Sequence, residues 1–226
     1  MVLDERLALA AALYEPCELG ADIGTDHGLL PCHLLITGVC QRMILADVSS
    51  KALRHAEEQV KAQRLEDRAL LVCADGLDAL TEPCGCVSVM GMGGETIAEI
   101  LRRGQDRLRG AVLVLSAHTE HRLVRRALMD IGYHLSREVV CKAAGRFYVF
   151  WRAEPGAACM TEEDVRYGYL MWEEATPLLR EYLAHRIRFT RSKLMGLLSA
   201  ASPEQALIAE AQRDLDWYLA KEEQLC

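Results

Sequence analysis

The chain contains 226 residues, of which 51% are hydrophobic, and carries a formal net charge of -7 at pH 7. This length and apolar content predict one full α/β domain with a smaller appendage, and they argue against a disordered chain. The negative charge argues against indiscriminate nucleic-acid binding, because phosphate contacts require local lysine and arginine. The sequence contains neither a secretory signal nor an apolar run of membrane-spanning length, so we expect a cytoplasmic protein.

The cysteines are numerous, nine in all, but their scatter lacks the paired spacing of a zinc module. Cys84 and Cys86 lie close together, and neither a second pair nor a nearby histidine accompanies them. A structural zinc ion takes four ligands. We therefore expect reduced, mostly buried thiols and no metal site.

Short apolar runs alternate with helix-length amphipathic segments from about Glu18 to Glu154, which predicts a parallel sheet covered by helices. The strands are predicted at Leu19–Gly24, Met43–Asp47, Ala69–Ala74, Cys86–Met90 and Ala111–Ser116. The helices are predicted at Leu29–Thr37, Ser50–Gln63, Gly94–Arg102 and Glu120–Ile131. Ser49 and Thr119 are expected to cap two of these helices with their hydroxyl groups.

Two strand-like runs then follow, Tyr133–Cys141 and Phe147–Ala153, and their short glycine-containing connection favours an antiparallel hairpin. A parallel sheet that ends in such a hairpin is typical of Rossmann-like class I methyltransferases. This argument is an analogy between folds. Pro155-Gly156 ends this α/β domain. The predicted boundaries are therefore residues 1–156 for the α/β domain and 157–226 for a C-terminal α-helical domain.

The C-terminal part reads as helix from Met160 onward, with two long periodic segments on either side of Ser202-Pro203. This pattern predicts an antiparallel helical hairpin of coiled-coil type. Between Ala175 and Ala200 the only acid is Glu181, and the sequence contains five bases there. These bases are Arg180, Arg186, Arg188, Arg191 and Lys193.

Glycine and aspartate residues mark the ends of the predicted strands. The first strand runs into a loop with Gly24 and Gly28, which lets the backbone turn sharply before a helix whose free amides face a ligand. Asp47 ends the second strand about twenty residues on, where a carboxylate accepts ribose hydroxyls or, alternatively, caps a helix or belongs to a surface turn.

The third and fourth strands end in the same way, with Asp75-Gly76 and with Gly91-Met92-Gly93. Because the carboxyl ends of parallel strands meet at one edge of a sheet, all four turns are expected to line one ligand crevice.

The chain contains Ala-Asp-Ile-Gly-Thr-Asp-His-Gly-Leu-Leu-Pro at 21–31, Ala-Asp-Gly-Leu at 74–77 and Gly-Met-Gly-Gly-Glu at 91–95. With a helical tail opening near Tyr167-Gly168, it resembles the bacterial TrmK-type tRNA (adenine(22)-N1)-methyltransferase family over nearly its whole length. That family has Gln-Pro after the fifth strand, where this chain has Ser116-Ala117. This difference would alter the pocket for the acceptor base, so it affects the prediction of which nucleotide is modified more than the prediction of methyl transfer.

The resemblance implies an S-adenosyl-L-methionine cofactor, a tRNA substrate and transfer of a methyl group to N1 of an adenine. Asp26 is the candidate catalytic carboxylate, and capping of the following helix is the alternative role. Arg186, Arg188 and Arg191 are the candidate tRNA contacts, with Arg102, Arg103, Arg107 and Arg109 as further phosphate ligands. The expected cofactor-binding residues are Gly24, Asp26, His27, Gly28, Asp47, Val48, Asp75, Gly76, Gly91, Met92 and Gly93.

Other interpretations remain open. The enzyme could methylate a protein or a small molecule and use its helical tail for dimerisation, as a monomer or weak homodimer. A non-catalytic RNA- or nucleotide-binding module is a second alternative. An NAD-dependent oxidoreductase is a third alternative, and two features disfavour it. The carboxylate at the end of the third strand resembles the methyltransferase residue that accepts the adenine amino group, and dinucleotide dehydrogenases usually continue with parallel strands where this chain has a hairpin.

Overall fold

The computed structural model describes residues 2–200, 202 and 204–225, and Pro203 of the predicted Ser-Pro break lies outside them. The strands are β1 (Cys17–Ile23), β2 (Cys40–Asp47), β3 (Ala69–Cys73), β4 (Cys86–Met92), β5 (Val112–Ala117), β6 (Tyr133–Ala143) and β7 (Arg146–Pro155). The α-helices are α1 (Glu5–Leu13), α2 (Leu29–Thr37), α3 (Ser50–Ala62), α4 (Gly94–Leu108), α5 (His121–Asp130), α6 (Glu162–Tyr167), α7 (Pro177–Leu198) and α8 (Gln205–Leu225).

The strands form one sheet in the order β3-β2-β1-β4-β5-β7-β6. Strands β1 to β5 pair in parallel, and β7 pairs antiparallel with both β5 and β6. This arrangement, with helices at the C-terminal end, confirms the predicted fold class. The strand order reverses at β1, which lies between β2 and β4, and such a switch point opens a crevice at the carboxyl ends of the strands.

Capping groups account for several helix starts. Ser49 caps α3 as expected, because its hydroxyl accepts a first-turn amide at 3.3 Å. The predicted cap at Thr119 is wrong, since α5 begins after Glu120, which adopts a left-handed φ of 49° and makes no side-chain cap. Helix α1 was not predicted, although Asp4 caps it by accepting a first-turn amide at 2.9 Å.

The stretch between Met160 and the predicted break at Ser202-Pro203 is not continuous helix, contrary to the prediction, because α6 and α7 are separate. Helix α6 ends at Gly168, where φ is 83°. A Cβ atom at Gly168 would lie 2.8 Å from a carboxylate oxygen of Glu138 and 2.9 Å from the guanidinium of Arg125. The break is therefore placed where the chain must turn closely over a buried ion pair.

Arg125 and Glu138 form an ion pair that is buried in the α/β part. Its N–O distance is 2.7 Å, and the two side chains are 2% and 0% exposed. Glu138 also accepts the Trp151 indole N–H at 2.7 Å and the Tyr169 amide at 2.9 Å, while Arg125 donates to the Val165 carbonyl at 3.2 Å. These bonds tie α5, the β6–β7 hairpin and the end of α6 together.

The chain divides into two compact units, Met1–Met171 and Trp172–Cys226. The first unit extends past the end of β7 and includes α6, so the domain boundary at residue 156 stays a prediction. In the second unit α7 and α8 pack together, and Arg186 donates to the Tyr218 hydroxyl at 3.1 Å. Since these two residues lie similarly far from the connection between the helices, α7 and α8 run antiparallel.

Among the helices of the described residues, none combines the length and the apolar composition that crossing a membrane requires.

We expect Glu138→Ala to lower the free energy of unfolding by about 3–5 kcal/mol, because it leaves the Arg125 guanidinium buried without a counter-ion. Urea unfolding followed by circular dichroism measures this change. The control is Glu82→Ala, which removes an exposed ion pair with Arg42 and should change stability little. Equal effects of the two substitutions would contradict a structural role for the buried pair.

Candidate functional site

The loop between β1 and α2 lies at the switch point of the sheet. Gly24 has a φ of +78°, and a Cβ atom there would lie 2.2 Å from the Cε of Met92. The amides of Gly24 and Thr25 donate to the Ala46 carbonyl of β2 at 2.8 and 3.0 Å. Gly28, with a φ of 67°, forms the N-cap of α2 without any side-chain cap. Glycine is therefore required where the loop bends toward the crevice.

A cavity of about 240 Å³ opens beside this loop and brings together four of the predicted site residues, Gly24, Asp26, His27 and Gly91. Its volume is somewhat below the range of about 300–1,000 Å³ that is usual for small-molecule sites. The predicted site residues did not include the twelve other residues that line it, namely Asp4, Arg6, Leu7, Asp22, Thr25, Leu29, Leu30, Met90, Ser116, His118, Tyr148 and Phe150.

Asp26 projects from the loop in the left-handed region, with a φ of 48°. Its side chain is 69% exposed, and its carboxylate lies 3.6 Å from Nε2 of His27. Because α2 has no side-chain cap, the alternative role of Asp26 as the cap of that helix does not apply. The carboxylate is thus available at the mouth of the cavity.

Asp47 ends β2 and is partly buried. One oxygen of its carboxylate accepts the Ser49 amide at 2.8 Å, which is the local turn considered as an alternative role. Val48, between them, is 73% exposed. Neither Asp47 nor Val48 lines the cavity. Both lie at the carboxyl end of β2, and we call the carboxyl ends of β2, β3 and β4, together with the residues that follow them, the rim.

The ends of β3 and β4 complete this rim. Asp75 pairs with Arg103 of α4 at 2.8 Å, and this hydrogen bond lowers the pKa of the Asp75 carboxyl. Gly76 follows with a φ of 58°. Met92 is the last residue of β4 and Gly93 is the N-cap of α4.

Asp22 is the buried carboxylate of the site and was not predicted. It lies on β1, is 5% exposed and lines the cavity. Ser88 of β4 donates to its Oδ1 at 2.5 Å, and the Tyr14 hydroxyl donates to Ser88 at 2.6 Å. Burial raises the pKa of Asp22, and the nearby hydroxyls of Ser88 and Thr25 oppose that shift. A chain of hydroxyls thus orients one carboxylate across the switch point.

The cavity wall carries features that fit a polar ligand. The Thr25 hydroxyl oxygen is buried, and no hydrogen bond of ordinary geometry reaches it from the described residues. It nevertheless lies close enough to the Asp22 carboxyl to lower the pKa of that group. A Cβ atom at Gly91 would meet nothing within 4 Å, so main chain is open to the cavity there. Buried polar groups are usually satisfied, and an unsatisfied one in a cavity indicates a ligand or water.

Aromatic and polar side chains from distant parts of the chain form the opposite wall. The Arg6 guanidinium lies 5.1 Å from the centroid of the Tyr148 ring, and His118 meets that ring edge-on at 6.3 Å. Phe150 and Ser116 lie beside them. Among these residues, Ser116 stood out in the sequence because it is part of the departure from the family pattern.

Asp26, His27 and His55 bring potential metal ligands within 4.8 Å of one another. The two imidazole rings stack, with centroids 5.1 Å apart and planes inclined by 12°. Asp26 and His27 are exposed, and ring stacking together with the Asp26–His27 contact accounts for the arrangement. We assign no metal to it.

The predicted RNA-contacting arginines differ in their surroundings. Arg188 and Arg191 are exposed on α7, whereas Arg186 is partly buried, bonds to Tyr218 and lies over the Tyr218 and Phe189 rings. Three further arginines pair with carboxylates, and these are Arg102 with Asp130, Arg103 with Asp75 and Arg107 with Asp78.

Residues 3–151 match the family described as Methyltransferase domain. The tRNA (adenine(22)-N(1))-methyltransferase of Bacillus subtilis strain 168 is 30% identical over 158 residues, which are 68% of this chain and 66% of that protein. The match thus spans about two thirds of the length of that relative.

Solved structures share the fold over nearly the whole chain. Sp1610 of Streptococcus pneumoniae has a TM-score of 0.89 and 24% identity, covering 98% of this chain and 100% of that one. TrmK of M. capricolum, in complex with the cofactor product S-adenosyl-homocysteine, has a TM-score of 0.87 and 21% identity, covering 100% of both chains.

We expect Asp22→Asn to stabilise the protein at pH 8. Because the pKa of Asp22 is raised on folding, the wild type loses stability as pH rises from about 4 through the folded-state pKa, whereas an amide does not ionise. Thermal unfolding between pH 4 and pH 8 measures the difference, which should grow with pH. The exposed Asp67→Asn serves as control. Parallel curves for wild type and Asp22→Asn would contradict the buried-charge argument.

Proposed function

We propose that this chain, which belongs to the methyltransferase-domain family, transfers the methyl group of S-adenosylmethionine to N1 of an adenine in tRNA. The observation that carries the proposal is one cavity at the switch point, built from the Gly24 loop, the buried Asp22 carboxylate and the buried Thr25 hydroxyl beside it. The B. subtilis relative supports the substrate, and the S-adenosyl-homocysteine complex of M. capricolum TrmK supports the cofactor. A tRNA substrate agrees with a cytoplasmic location.

The cofactor would lie along the rim, partly inside the cavity. When bound, S-adenosylmethionine supplies a methyl group on a positively charged sulfur. Asp22 offers a desolvated carboxylate to the ammonium of its methionine part, and Thr25 offers a hydroxyl. Asp47 would accept ribose hydroxyls, and Asp75 would accept the adenine amino group. The other proposed binding residues are Gly24, Asp26, His27, Gly28, Val48, Gly76, Gly91, Met92 and Gly93.

The target adenine would enter between the cofactor and the aromatic wall. Tyr148, Phe150 and His118 offer ring faces and edges against which a base can stack. An adenine in folded tRNA is paired or stacked, so its extrusion costs a few kcal/mol, which these contacts must offset. Neutral adenine N1 has a free lone pair, and catalysis therefore consists mainly of alignment.

Asp26 is the proposed catalytic group. Positive charge develops on the adenine ring as N1 gains the methyl group, and a carboxylate at the cavity mouth stabilises that charge or accepts a proton from the exocyclic amine. Its 69% exposure in the free protein suits a residue that the RNA covers only on binding.

The exposed face of α7 is the proposed tRNA-binding surface in the helical unit. Arg188, Arg191 and Lys193 are exposed there, whereas Arg186 packs against Tyr218 and has a positioning role within the helical hairpin. Phosphate contacts recognise the shape of a folded RNA and not its sequence. We propose a monomer or weak homodimer as the active form.

The proposal is tested by incubating the protein with bulk tRNA and methyl-labelled S-adenosylmethionine, followed by nucleoside mass spectrometry. We expect labelled N1-methyladenosine. Label confined to protein or to small molecules would favour the alternative substrates, and no transfer with cofactor bound would favour a binding module.

Asp47→Ala should weaken cofactor binding at least tenfold, because charged hydrogen bonds to a ribose are worth about 1.5–3 kcal/mol. Isothermal titration with S-adenosylmethionine measures the loss. Ser49→Ala is the matched control, since it removes the cap of α3 and keeps the carboxylate. If the two variants bind alike, Asp47 does not contact the cofactor.

Arg188→Gln combined with Arg191→Gln should weaken tRNA binding, flatten its dependence on salt and leave cofactor affinity unchanged. Filter binding at several salt concentrations provides the measurement. Arg213→Gln, an exposed change on α8, is the control. A tRNA affinity that is indifferent to the double change would remove this face from the RNA surface.

A further inference from the structure

Cys17 and Cys40 lie at the amino ends of two neighbouring strands, whereas the rim lies at the carboxyl ends. Cys17 is the first residue of β1 and Cys40 the first of β2, and the two are direct partners in the parallel ladder. Their sulfur atoms are 3.4 Å apart. Cys40 is fully buried, whereas Cys17 is partly exposed. The pair therefore combines one thiol that solvent reaches with one that it does not.

The Cys84-Gly85-Cys86 sequence packs against this pair. A Cβ atom at Gly85 would lie 2.6 Å from the Cβ of Cys17, so glycine is what lets this segment approach the first strand. Cys84 and Cys86 are both buried. The Cys-Gly-Cys motif thus has a packing reason that involves Cys17.

The surroundings stabilise Cys17 as a thiolate. The hydrogen bond from the Cys40 thiol lowers the pKa of Cys17, and the Cys86 amide acts in the same direction while partial burial opposes both. The pKa of Cys40 is raised by the same hydrogen bond and by its burial, so Cys40 keeps the proton. Thiolates are the nucleophilic form of cysteine.

We propose that Cys17 and Cys40 form a reversible disulfide on exposure to hydroperoxides, at a modification site separate from the methyl-transfer site. Adjacent strands lie about 4.7–4.9 Å apart, within the range of about 4.4–6.8 Å between Cα atoms that a disulfide bridges. Closing the bond brings the sulfurs from 3.4 Å to about 2.05 Å.

The reaction proceeds in two balanced steps. With hydrogen peroxide as the oxidant, the Cys17 thiolate attacks one oxygen, the O–O bond breaks, and the products are a sulfenic acid and a hydroxide ion, which takes up a proton to become water. An alkyl hydroperoxide would release an alcohol in place of this first water. The Cys40 sulfur then attacks the Cys17 sulfur, the S–O bond breaks, and a second water leaves as the disulfide forms. The two thiols lose two electrons in total, which reduce one peroxide to two waters.

The site is remote from the cofactor loop. Strand β1 has seven residues, and at about 3.3 Å per residue its two ends lie about 20 Å apart. Disulfide formation between Cys17 and Cys40 therefore depends on the geometry of the two thiols and is independent of the proposed methyl transfer.

The test exposes the full-length native protein to hydrogen peroxide, blocks remaining thiols with iodoacetamide and digests with trypsin and Glu-C. Cleavage after Arg6, Glu18 and Arg42 separates Cys17, in peptide 7–18, from Cys40, in peptide 19–42. We expect these peptides to appear linked, with two hydrogens lost, and to separate after treatment with dithiothreitol.

Three variants make the assignment specific. Cys32 shares the second peptide, so Cys32→Ser should retain the link, whereas Cys17→Ser and Cys40→Ser should abolish it. In Cys40→Ser the Cys17 sulfenic acid should persist and be captured by dimedone. The exposed Cys73 reports that oxidant has reached the protein. Oxidation of Cys73 without the Cys17–Cys40 link, or a link from Cys17 to another cysteine, would overturn the proposal.

Discussion

The candidate site depends on one constraint, which is that Asp22 places a carboxylate inside the sheet at the strand-order switch. Burial disfavours its charge, and the Tyr14–Ser88 hydroxyl chain compensates only in part. Functional sites often retain such locally unfavourable groups because a ligand completes them. The nearby Thr25 hydroxyl is also buried, and it faces the Asp22 carboxyl without a hydrogen bond of ordinary geometry among the described residues. Together they explain why this end of β1 fits a cationic, polar ligand.

Sequence patterns predicted the sheet, its terminal hairpin and the glycine-rich turns, because these depend on local periodicity and on backbone conformations such as the φ of +78° at Gly24. The resemblance to the tRNA (adenine(22)-N1)-methyltransferase family, inferred from three short motifs, is confirmed by the B. subtilis relative. Thr119 failed as a cap because Glu120 takes a left-handed conformation that no propensity indicates.

The role of Asp22 could not be predicted, since its partners Ser88 and Tyr14 are brought to it only by the pairing of β1 with β4 and by the packing of α1. The wall formed by Arg6, Tyr148 and His118 was missed for the same reason, because it joins the first helix to the last hairpin. Similarly, Arg186 looked like one of several surface bases until Tyr218 was placed beside it. Local patterns identify turns, whereas contacts between distant segments decide which side chains share a cavity.

The two units of the chain correspond to the two proposed functions, methyl transfer in the first and tRNA binding in the second. The first unit contains the cavity and the rim, and the second presents an exposed basic helix face. The buried Arg125–Glu138 pair holds α5 and the hairpin in place, and that hairpin carries Tyr148 and Phe150 into the cavity wall. The buried ion pair that stabilises the first unit is thus formed by other residues than the polar groups proposed to bind the cofactor.

A crystal structure of the protein soaked with S-adenosylmethionine tests the central claim most directly. The account predicts the ligand ammonium against Asp22, the ribose beside Asp47 and the methyl carbon facing the space between Asp26 and Tyr148. Density for the ligand at another place, or a rim that stays empty at saturating concentration, would contradict it.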